Sequence, residues 1–334
     1  MRKLDAHNIQ EVFLEHLKTM LPSSTSLAAE LSDLLDISMD SAYRRIRGET
    51  PLSLAETFKL AEAHNISLAS MSSEAQGVVQ FSYLKMAGSI ESMEQYLIRL
   101  LQNLKRIRAA GDATIYYCGQ DVPLFHNLKY NYLARFKIFY WMRSIMNHGD
   151  ITAEKLGEET IPQRLVDLCE EIFEEYQNID SKELWSTSSL HSTLRQLRYY
   201  WESGLLESDE FGKKVLEDVR SLLENIESMA TSGWKNSREE KGKYDFYASE
   251  IELTTNCALA EMGGVKAVFL GHHTFNMLET MHESYSEQTS IWFRNMMSKA
   301  TLISSVGEKY RYQFFQDGKR KIDRLEKDML GDLD

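Results

Sequence analysis

The stretch LAAELSDLLDISMDSAYRRIRGETPLSLAETFKLAEAHNISL, residues Leu27 to Leu68, decides the fold of the N-terminal part of the chain. Its first apolar residues recur at the spacing of one helical face, at Leu27, Leu31, Leu34 and Leu35. This spacing predicts a short amphipathic helix whose apolar stripe needs a partner. Asp36-Ile37-Ser38 breaks the pattern, and the hydroxyl group of Ser38 can cap a second helix from Met39 to Arg47.

A third helix follows a clear stop signal. Gly48 ends the second helix, and Pro51 keeps it from resuming. Ser53 and Glu56 then form an S-x-x-E capping box, and the helix that follows is expected to direct its apolar side chains inward, namely Leu54, Phe58 and Ala61. With one more helix before Leu27, four to five small helices are predicted to close a core.

The second helix has two different faces. Ala42 and Ile46 lie four residues apart on the predicted inner face, whereas the outer face carries Asp40, Tyr43, Arg44 and Arg47. Arg45 brings the number of arginines to three, and all three are expected to point outward. Such a cluster could simply keep the helix surface solvated, but on a short capped helix in this pattern we favour contact with DNA.

The order of residues in this region resembles the lambda-repressor/Cro-type (Xre-like) helix-turn-helix family. The resemblance is carried by Arg44-Arg45-Ile46-Arg47-Gly48, by Leu52-Ser53-Leu54 and by Asn65-Ile66-Ser67-Leu68. Ser32 stands where the family usually has alanine, and Asp36 stands where it usually has the turn glycine. The run Asp40 to Glu49 also looks like a subset of bacterial regulators with a long C-terminal domain.

The resemblance implies a function in DNA recognition. In this family the helix that corresponds to Met39 to Arg47, the third when the helix before Leu27 is counted, lies in the major groove with its N-terminal part near the base edges. The DNA-binding candidates that carry over are Ser38, Met39, Asp40, Tyr43, Arg44, Arg45 and Arg47. A guanidinium group can pair with guanine through two hydrogen bonds or with a phosphate by charge, whereas Asp40 would accept a hydrogen bond from a cytosine amine.

Net charge limits how such binding can work. Residues 1–71 contain seven Lys and Arg and ten Asp and Glu, so this segment has a net charge of −3, and the whole chain has −12. General attraction to nucleic acid should therefore be weak. Specific binding would depend on a local basic patch, it would fall steeply with salt, and a dimer with two such segments would strengthen it.

Length and composition predict two domains. The 334 residues, 43% hydrophobic and 26% charged, suit a helix-turn-helix domain at 1–72 and a larger effector and dimerisation domain at 73–334. The linker is expected at Ser70 to Gly77. The overall fold class expected is mainly α, with a small antiparallel β-sheet near 113–118 and 243–278 in the second domain (α+β), where Gly263-Gly264 offers a hairpin turn.

The rest of the second domain is predicted to be helical. Apolar residues from Ile90 to Ile107 step by three and four, which suits a packed core helix or a coiled coil that makes a homodimer. The aromatic segment Val122 to Met146 suits a core or, alternatively, the wall of a small-molecule pocket. Further helices are expected at 163–176, 189–201, 209–229, 287–299 and 306–330, the last with a basic tract that is either a solvated face or a second phosphate or partner contact.

No enzymatic signature is present, since the sequence has no G-x-G-x-x-G, P-loop, G-x-S-x-G or H-E-x-x-H motif. We therefore expect no enzyme activity, no cofactor and no metal site; His272 and His273, adjacent on a predicted strand, should point to opposite faces.

Three dispersed cysteines and the absence of a long apolar run favour a cytoplasmic protein with no membrane contact. The expected partners are double-stranded DNA, a second copy of the chain and an unknown small-molecule or protein effector. The alternative is a protein-interaction adaptor whose helix-turn-helix fold no longer contacts DNA, and a weaker one is an enzyme tethered to such a fold.

Overall fold

The computed structural model describes residues 6–21, 25–64, 66, 68, 77–86, 89–145, 155–236, 242–251, 253, 255–273 and 275–330. The chain divides into two compact units, Met1–Gln80 and Phe81–Asp334. The sequence-based division was at 72/73, and the expected linker from Ser70 to Gly77 lies outside the described residues except for Gly77 itself.

The N-terminal unit contains four described helices: α1 Ala6–Met20, α2 Leu27–Leu35, α3 Met39–Ile46 and α4 Leu54–Ala63. Their shared core is built from Phe13, Leu14, Leu17, Ala28, Leu31, Ala42, Leu60, Ala61 and Ile66. Ala42 is the central residue of α3 in this core and is fully buried, so only a small side chain fits between α3 and its neighbours.

The predicted inner face of α4 is partly wrong. Ala61 is buried, but Leu54 is 73% exposed and Phe58 is 58% exposed. Leu60 and Ala61, from the C-terminal half of the helix, already close the core. The N-terminal half of α4 therefore leaves two large apolar side chains in solvent.

Helices also dominate the C-terminal unit, and 57% of the residues that the structure describes are in α-helices. The described helices are α5 Ile90–Ala109, α6 Leu124–Leu128, α7 Asn131–Tyr140 with a π-helical turn at Trp141–Ile145, α8 Gln163–Tyr176, α9 His191–Glu202, α10 Asp209–Ser232, α11 Glu283–Ser298 and α12 Glu308–Leu330. The strands are β1 Ser82–Tyr83, β2 Ala113–Gly119, β3 Asp180–Ser186, β4 Tyr244–Ser249, β5 Cys257–Met262, β6 Val265–His272, β7 Asn276–Thr280 and β8 Thr301–Leu302.

The sheet is larger than predicted and is not purely antiparallel. Its eight described strands run in the order β1-β7-β6-β5-β2-β3-β4-β8, and β2, β3 and β4 pair in parallel while the other neighbours are antiparallel. The hairpin at Gly263-Gly264 is confirmed, with φ of 53° and 93° at the two glycines. Three strands were not predicted: β1 and β8, each only two residues long, and β3, whose sequence DSKELWS buries polar residues where an apolar alternation would have identified a strand.

The two faces of the sheet pack against different helices. Ile115, Tyr117, Trp185 and Phe246 belong to the large core that also contains residues of α5, α7, α8, α9, α10 and α12. The opposite face packs mainly against α11, through a second cluster that includes Cys118, Leu184, Leu259, Phe293 and Met297. The unit therefore has three layers, with the sheet in the middle.

The regular apolar spacing of α5 is used inside the chain. Met93, Leu97, Leu104 and Ile107 are buried in the unit's own core, and Arg164 of α8 pairs with Glu94 at 2.9 Å. The prediction of a packed core helix is therefore confirmed for α5, and the alternative prediction that this helix forms a coiled coil is wrong. In the aromatic segment Leu133, Phe136 and Phe139 are fully buried in the core, whereas Phe125 and Trp141 also line a cavity, so the segment contributes to both.

Candidate nucleic-acid interface

Helix α3, the candidate DNA-recognition helix, is capped at its first turn. Ser38 has an extended backbone, and its Oγ accepts a hydrogen bond from the backbone N–H of Ser41 at 3.3 Å. A cap of this kind typically contributes about 1 kcal/mol to helix stability. The cap fixes where the exposed face of α3 begins, at Met39 and Asp40, both of which are exposed.

Two of the three arginines point outward, as predicted. The side chain of Arg44 is 55% exposed and that of Arg47 is 52% exposed. Tyr43 is also exposed, so Tyr43, Arg44 and Arg47 continue the accessible face that begins at Ser38.

The expectation that Arg45 points outward is wrong. Its side chain is only 15% exposed, and its Nη2 donates to Oε1 of Glu56 at 2.7 Å, while Nη1 donates to the carbonyl oxygen of Ser41. Arg45 follows Ala42 by three residues, so it lies beside the buried face of α3 and next to the first turn of α4. Arg45 therefore connects α3 to α4 through its ion pair with Glu56 and does not face solvent.

Glu56 has two roles at this junction. The capping box is confirmed, because Oε2 of Glu56 accepts from the backbone N–H of Ser53 at 2.7 Å and Oγ of Ser53 accepts from the backbone N–H of Glu56. Burial alone would raise the pKa of Glu56, but the hydrogen bonds from Ser53 and Arg45 outweigh it and hold this pKa below its ordinary value. A single carboxylate thus orients both helices.

The side chain of Gln10 in α1 forms hydrogen bonds with the loop between α3 and α4. This role of Gln10 was not predicted from the sequence. Its Nε2 donates to the carbonyl oxygens of Arg45 and Thr50 at 2.8 Å and 3.1 Å, and its Oε1 accepts from the backbone N–H of Leu52 at 2.7 Å. These three bonds connect positions 35 to 42 residues apart. No local pattern could have identified them.

The outward arginines have a carboxylate neighbour in the same loop. Glu49 accepts from Nε of Arg47 at 2.6 Å and from Nη2 of Arg47 at 3.0 Å, and its Oε2 lies 3.8 Å from Nε of Arg44. The hydrogen bond from Arg47 lowers the pKa of Glu49 and raises that of Arg47. Both guanidinium groups are therefore accessible but partly neutralised.

The turn between α2 and α3 uses the two residues that depart from the family pattern. Asp36 adopts a left-handed conformation, with φ of 54° and ψ of 50°, which is the conformation that a turn glycine would adopt. Oγ of Ser32 donates to the carbonyl oxygen of Ile37 at 2.7 Å and closes the same turn.

Replacing Asp36 with valine should destabilise the N-terminal unit by about 1–2 kcal/mol, because a β-branched residue is strained in this conformation. Asp36→Gly is the matched control, since it removes the same carboxylate but accepts the positive φ, and it should match or exceed the wild type. Amide hydrogen exchange of α2 and α3 measures the difference. Equal protection in Asp36→Val and Asp36→Gly would contradict the role of this backbone conformation.

The C-terminal unit contains a buried charged network that the sequence did not indicate. Glu183 of β3 is fully buried, and its carboxylate accepts hydrogen bonds from Nε2 of His126 at 3.0 Å, Nε1 of Trp185 at 3.1 Å, the hydroxyl of Tyr244 at 3.1 Å and the hydroxyl of Tyr176. Burial would raise the pKa of Glu183, but His126 and the hydrogen bonds outweigh it, so this pKa lies below its ordinary value. The network is enclosed by core residues, and we assign it to the stability of the sheet.

The three cysteines are free and buried. His272 and His273 do not point to opposite faces, because β6 ends at His272 and the chain turns at His273, where φ is 47°, so their rings stack with centroids 3.6 Å apart. Within the described parts of the chain, no group of three potential metal ligands is found, and no helix is both long and apolar enough to cross a membrane.

Comparison with known families agrees with a regulator-type N-terminal region. Residues 8–110 match the family model of the BetR domain, a helix-turn-helix-like domain of transcriptional regulators. The match begins within α1 and runs through the end of α5, and it spans less than a third of the chain. Neither a curated protein nor a solved structure matches the chain.

Proposed function

We propose that the protein is a one-component transcriptional regulator that binds duplex DNA sequence-specifically through α3, in the manner of lambda-repressor/Cro-type proteins. The observation that carries the proposal is the pair of outward guanidinium groups, Arg44 and Arg47, on a capped helix whose opposite face is anchored by Ala42 and Arg45. A rigid helix with an accessible basic face suits entry into the major groove.

Within this proposal the exposed residues of α3 divide by chemistry. Arg44 and Arg47 pair with guanine edges or phosphates, and Asp40 near the first turn accepts from a cytosine amine. Ser38, Met39 and Tyr43 complete the contact surface. Arg45 is a positioning residue, since its guanidinium group is already used by Glu56.

The proposal includes a homodimer and an operator with two half-sites. An acidic chain with two outward arginines per copy gains specificity when two copies read one site, and family geometry then places half-site centres about 34–36 Å apart. The test is selection of bound duplexes from a random-sequence library with the full chain. Enrichment of one motif as an inverted repeat is the expected result, and recovery of unenriched sequence would overturn the proposal.

Glu49 offers a sensitive probe of this interface. Glu49→Gln should raise the affinity for duplex DNA roughly twofold to fivefold, because it frees Arg44 and Arg47 from an exposed carboxylate without removing either. Fluorescence anisotropy with the selected duplex at low salt measures the change.

Glu62→Gln is the control, since it removes the same charge from an exposed position on α4 of the same unit. It should change the affinity less than Glu49→Gln does. Equal gains in the two variants would mean that overall charge, and not release of the two arginines, governs the affinity.

One observation favours a second candidate function, a protein-interaction adaptor. Leu54 and Phe58 lie four residues apart on α4 and expose their side chains, as residues of a protein-contact surface often do. The adaptor predicts no DNA affinity in the wild type and binding to a protein partner that survives high salt. The regulator predicts DNA affinity that falls steeply as salt rises.

A further inference from the structure

A cavity of about 160 Å³ lies within the C-terminal unit, on the side of the sheet that packs against α5. Most of its lining is apolar and includes Leu100, Leu104, Ile107, Ile115, Phe269 and Phe275. An engineered apolar cavity of about 150 Å³ holds a benzene molecule. The cavity can therefore enclose the body of a small organic molecule.

The lining also contains a buried cation. Lys137 of α7 is 6% exposed, and its Nζ donates to Oγ1 of Thr193 at 2.8 Å and to Oε1 of Gln196 at 2.9 Å. Both acceptors are uncharged, and an ammonium group has a third N–H to donate. Burial lowers the pKa of Lys137 to about 8, partly offset by the more distant Asp121.

Of the other charged side chains of the lining, Arg99 and Glu279 pair with each other and Asp121 accepts a hydrogen bond from a neutral amide. Arg99 pairs with Glu279 at 3.4 Å, and both side chains are partly exposed, which places this pair where the cavity meets the surface. The carboxylate of Asp121 accepts from Nδ2 of Asn256 at 3.4 Å. In contrast, no carboxylate of the described residues lies within the 4.0 Å ion-pair distance of Nζ of Lys137.

An unpaired cation in an apolar cavity selects for the charge of a ligand. Removing an ammonium group from water is costly unless an anion compensates it. A carboxylate that enters this cavity would accept a charge-assisted hydrogen bond from Lys137, and the low polarity of the surroundings strengthens that bond. A neutral ligand would leave the ammonium group uncompensated, and a cationic ligand would be repelled.

We infer that this cavity binds a small monocarboxylic acid with an apolar body, about six to ten non-hydrogen atoms in all, whose carboxylate pairs with Lys137. The site lies wholly in the C-terminal unit, so the inference does not depend on DNA binding. It gives the chain an effector site for an apolar acid.

Calorimetric titration of the full chain, without DNA, tests the inference with three probes of equal chain length: octanoate, 1-octanol and octylamine. Octanoate should bind about tenfold or more tightly than 1-octanol, since a hydrogen bond to a charged group carries the difference, and octylamine should give no binding. Lys137→Met should lower the affinity for octanoate by about the same factor and should not lower the affinity for 1-octanol. Lys266→Met is the matched control, because Lys266 lies outside the cavity and pairs with Glu261 and Glu287, and it should bind all three probes as the wild type does.

A second variant tests the location of the site. Ala260 is buried on β5 and lines the cavity, so Ala260→Leu should fill it and abolish binding of both octanoate and 1-octanol. If Lys137→Met shows no cooperative thermal unfolding, Lys137→Gln replaces it, because an amide keeps hydrogen-bonding capacity toward Thr193 and Gln196 without the charge. Equal affinity for octanoate and 1-octanol, preference for octylamine, no binding of octanoate, or unchanged octanoate binding in Ala260→Leu would each overturn the inference.

Discussion

The double substitution Arg44→Ala and Arg47→Ala should abolish specific DNA binding and leave the fold intact. A good bidentate contact between arginine and guanine is worth about 1–3 kcal/mol, so losing two costs about 2–6 kcal/mol for each N-terminal unit. Both side chains are more than half exposed, and both lie beside the exposed carboxylate of Glu49. Unfolding of α1 to α4, followed by circular dichroism and hydrogen exchange, should therefore match the wild type.

Single variants separate the two kinds of contact. An arginine that pairs with a base relaxes the sequence preference at one position when it is replaced. An arginine that pairs with a phosphate weakens binding to all sequences and lowers the slope of log K against log[salt] by about 1. Anisotropy titrations at several salt concentrations, with the selected duplex and its single-base variants, distinguish these outcomes.

The matched control is the double substitution Arg320→Ala and Arg324→Ala. It removes the same number of charges from exposed positions on α12, within the basic tract that the sequence offered as a second phosphate contact. Part of that tract is already paired internally, as Lys319 is with Glu227 at 2.6 Å. The control should bind DNA as the wild type does. Equal losses of DNA affinity in the two double variants would contradict the assignment of α3 as the recognition helix.

The second large effect is expected at Glu183, where Glu183→Gln should destabilise the C-terminal unit by about 3–5 kcal/mol. The amide presents an N–H₂ group toward the donors of His126 and Trp185, so fully buried hydrogen bonds are lost and His126 loses its charged partner. All five tryptophans of the chain lie beyond residue 80, so intrinsic fluorescence in a urea titration reports on this unit.

Asp245→Asn is the control for Glu183→Gln. Asp245 lies on the neighbouring strand β4 and pairs with Lys182 at 2.6 Å, but both side chains are partly exposed, so the expected cost is below about 1 kcal/mol. Comparable losses in the two variants would contradict the importance of the buried network.

The pH dependence of the Glu183 effect has a defined sign. Because the pKa of Glu183 is lowered in the folded state, its ionised form stabilises the fold above the ordinary value of 4.5, and this contribution is lost as the pH falls through the folded-state pKa. The stability difference between wild type and Glu183→Gln should therefore shrink below pH 4.5. A difference that stays constant through this range would mean that the charge of Glu183 is not what stabilises the unit.

The sequence by itself determined the features that depend on neighbours within a few residues. The caps at Ser38 and Ser53, the stop at Gly48, the outward placement of Arg44 and Arg47, the hairpin at Gly263-Gly264 and the helix at 163–176 all follow from local hydrogen bonds and from apolar spacing along one element. Such features are fixed by φ/ψ preference and side-chain period, which are properties of a short segment.

Only the tertiary structure decided the features that join distant segments. Arg45 lies between an exposed and a buried face, and Glu56, eleven residues later, turns it inward. β3 was missed because Ser181 and Glu183 are polar, and they can be buried only because β2 and β4 flank them and because His126, Tyr176 and Tyr244 supply hydrogen-bond donors. The pairing of strands and the burial of a charge depend on which hydrogen-bond partners the fold brings within about 3 Å. The pattern of residues along the sequence does not specify those partners.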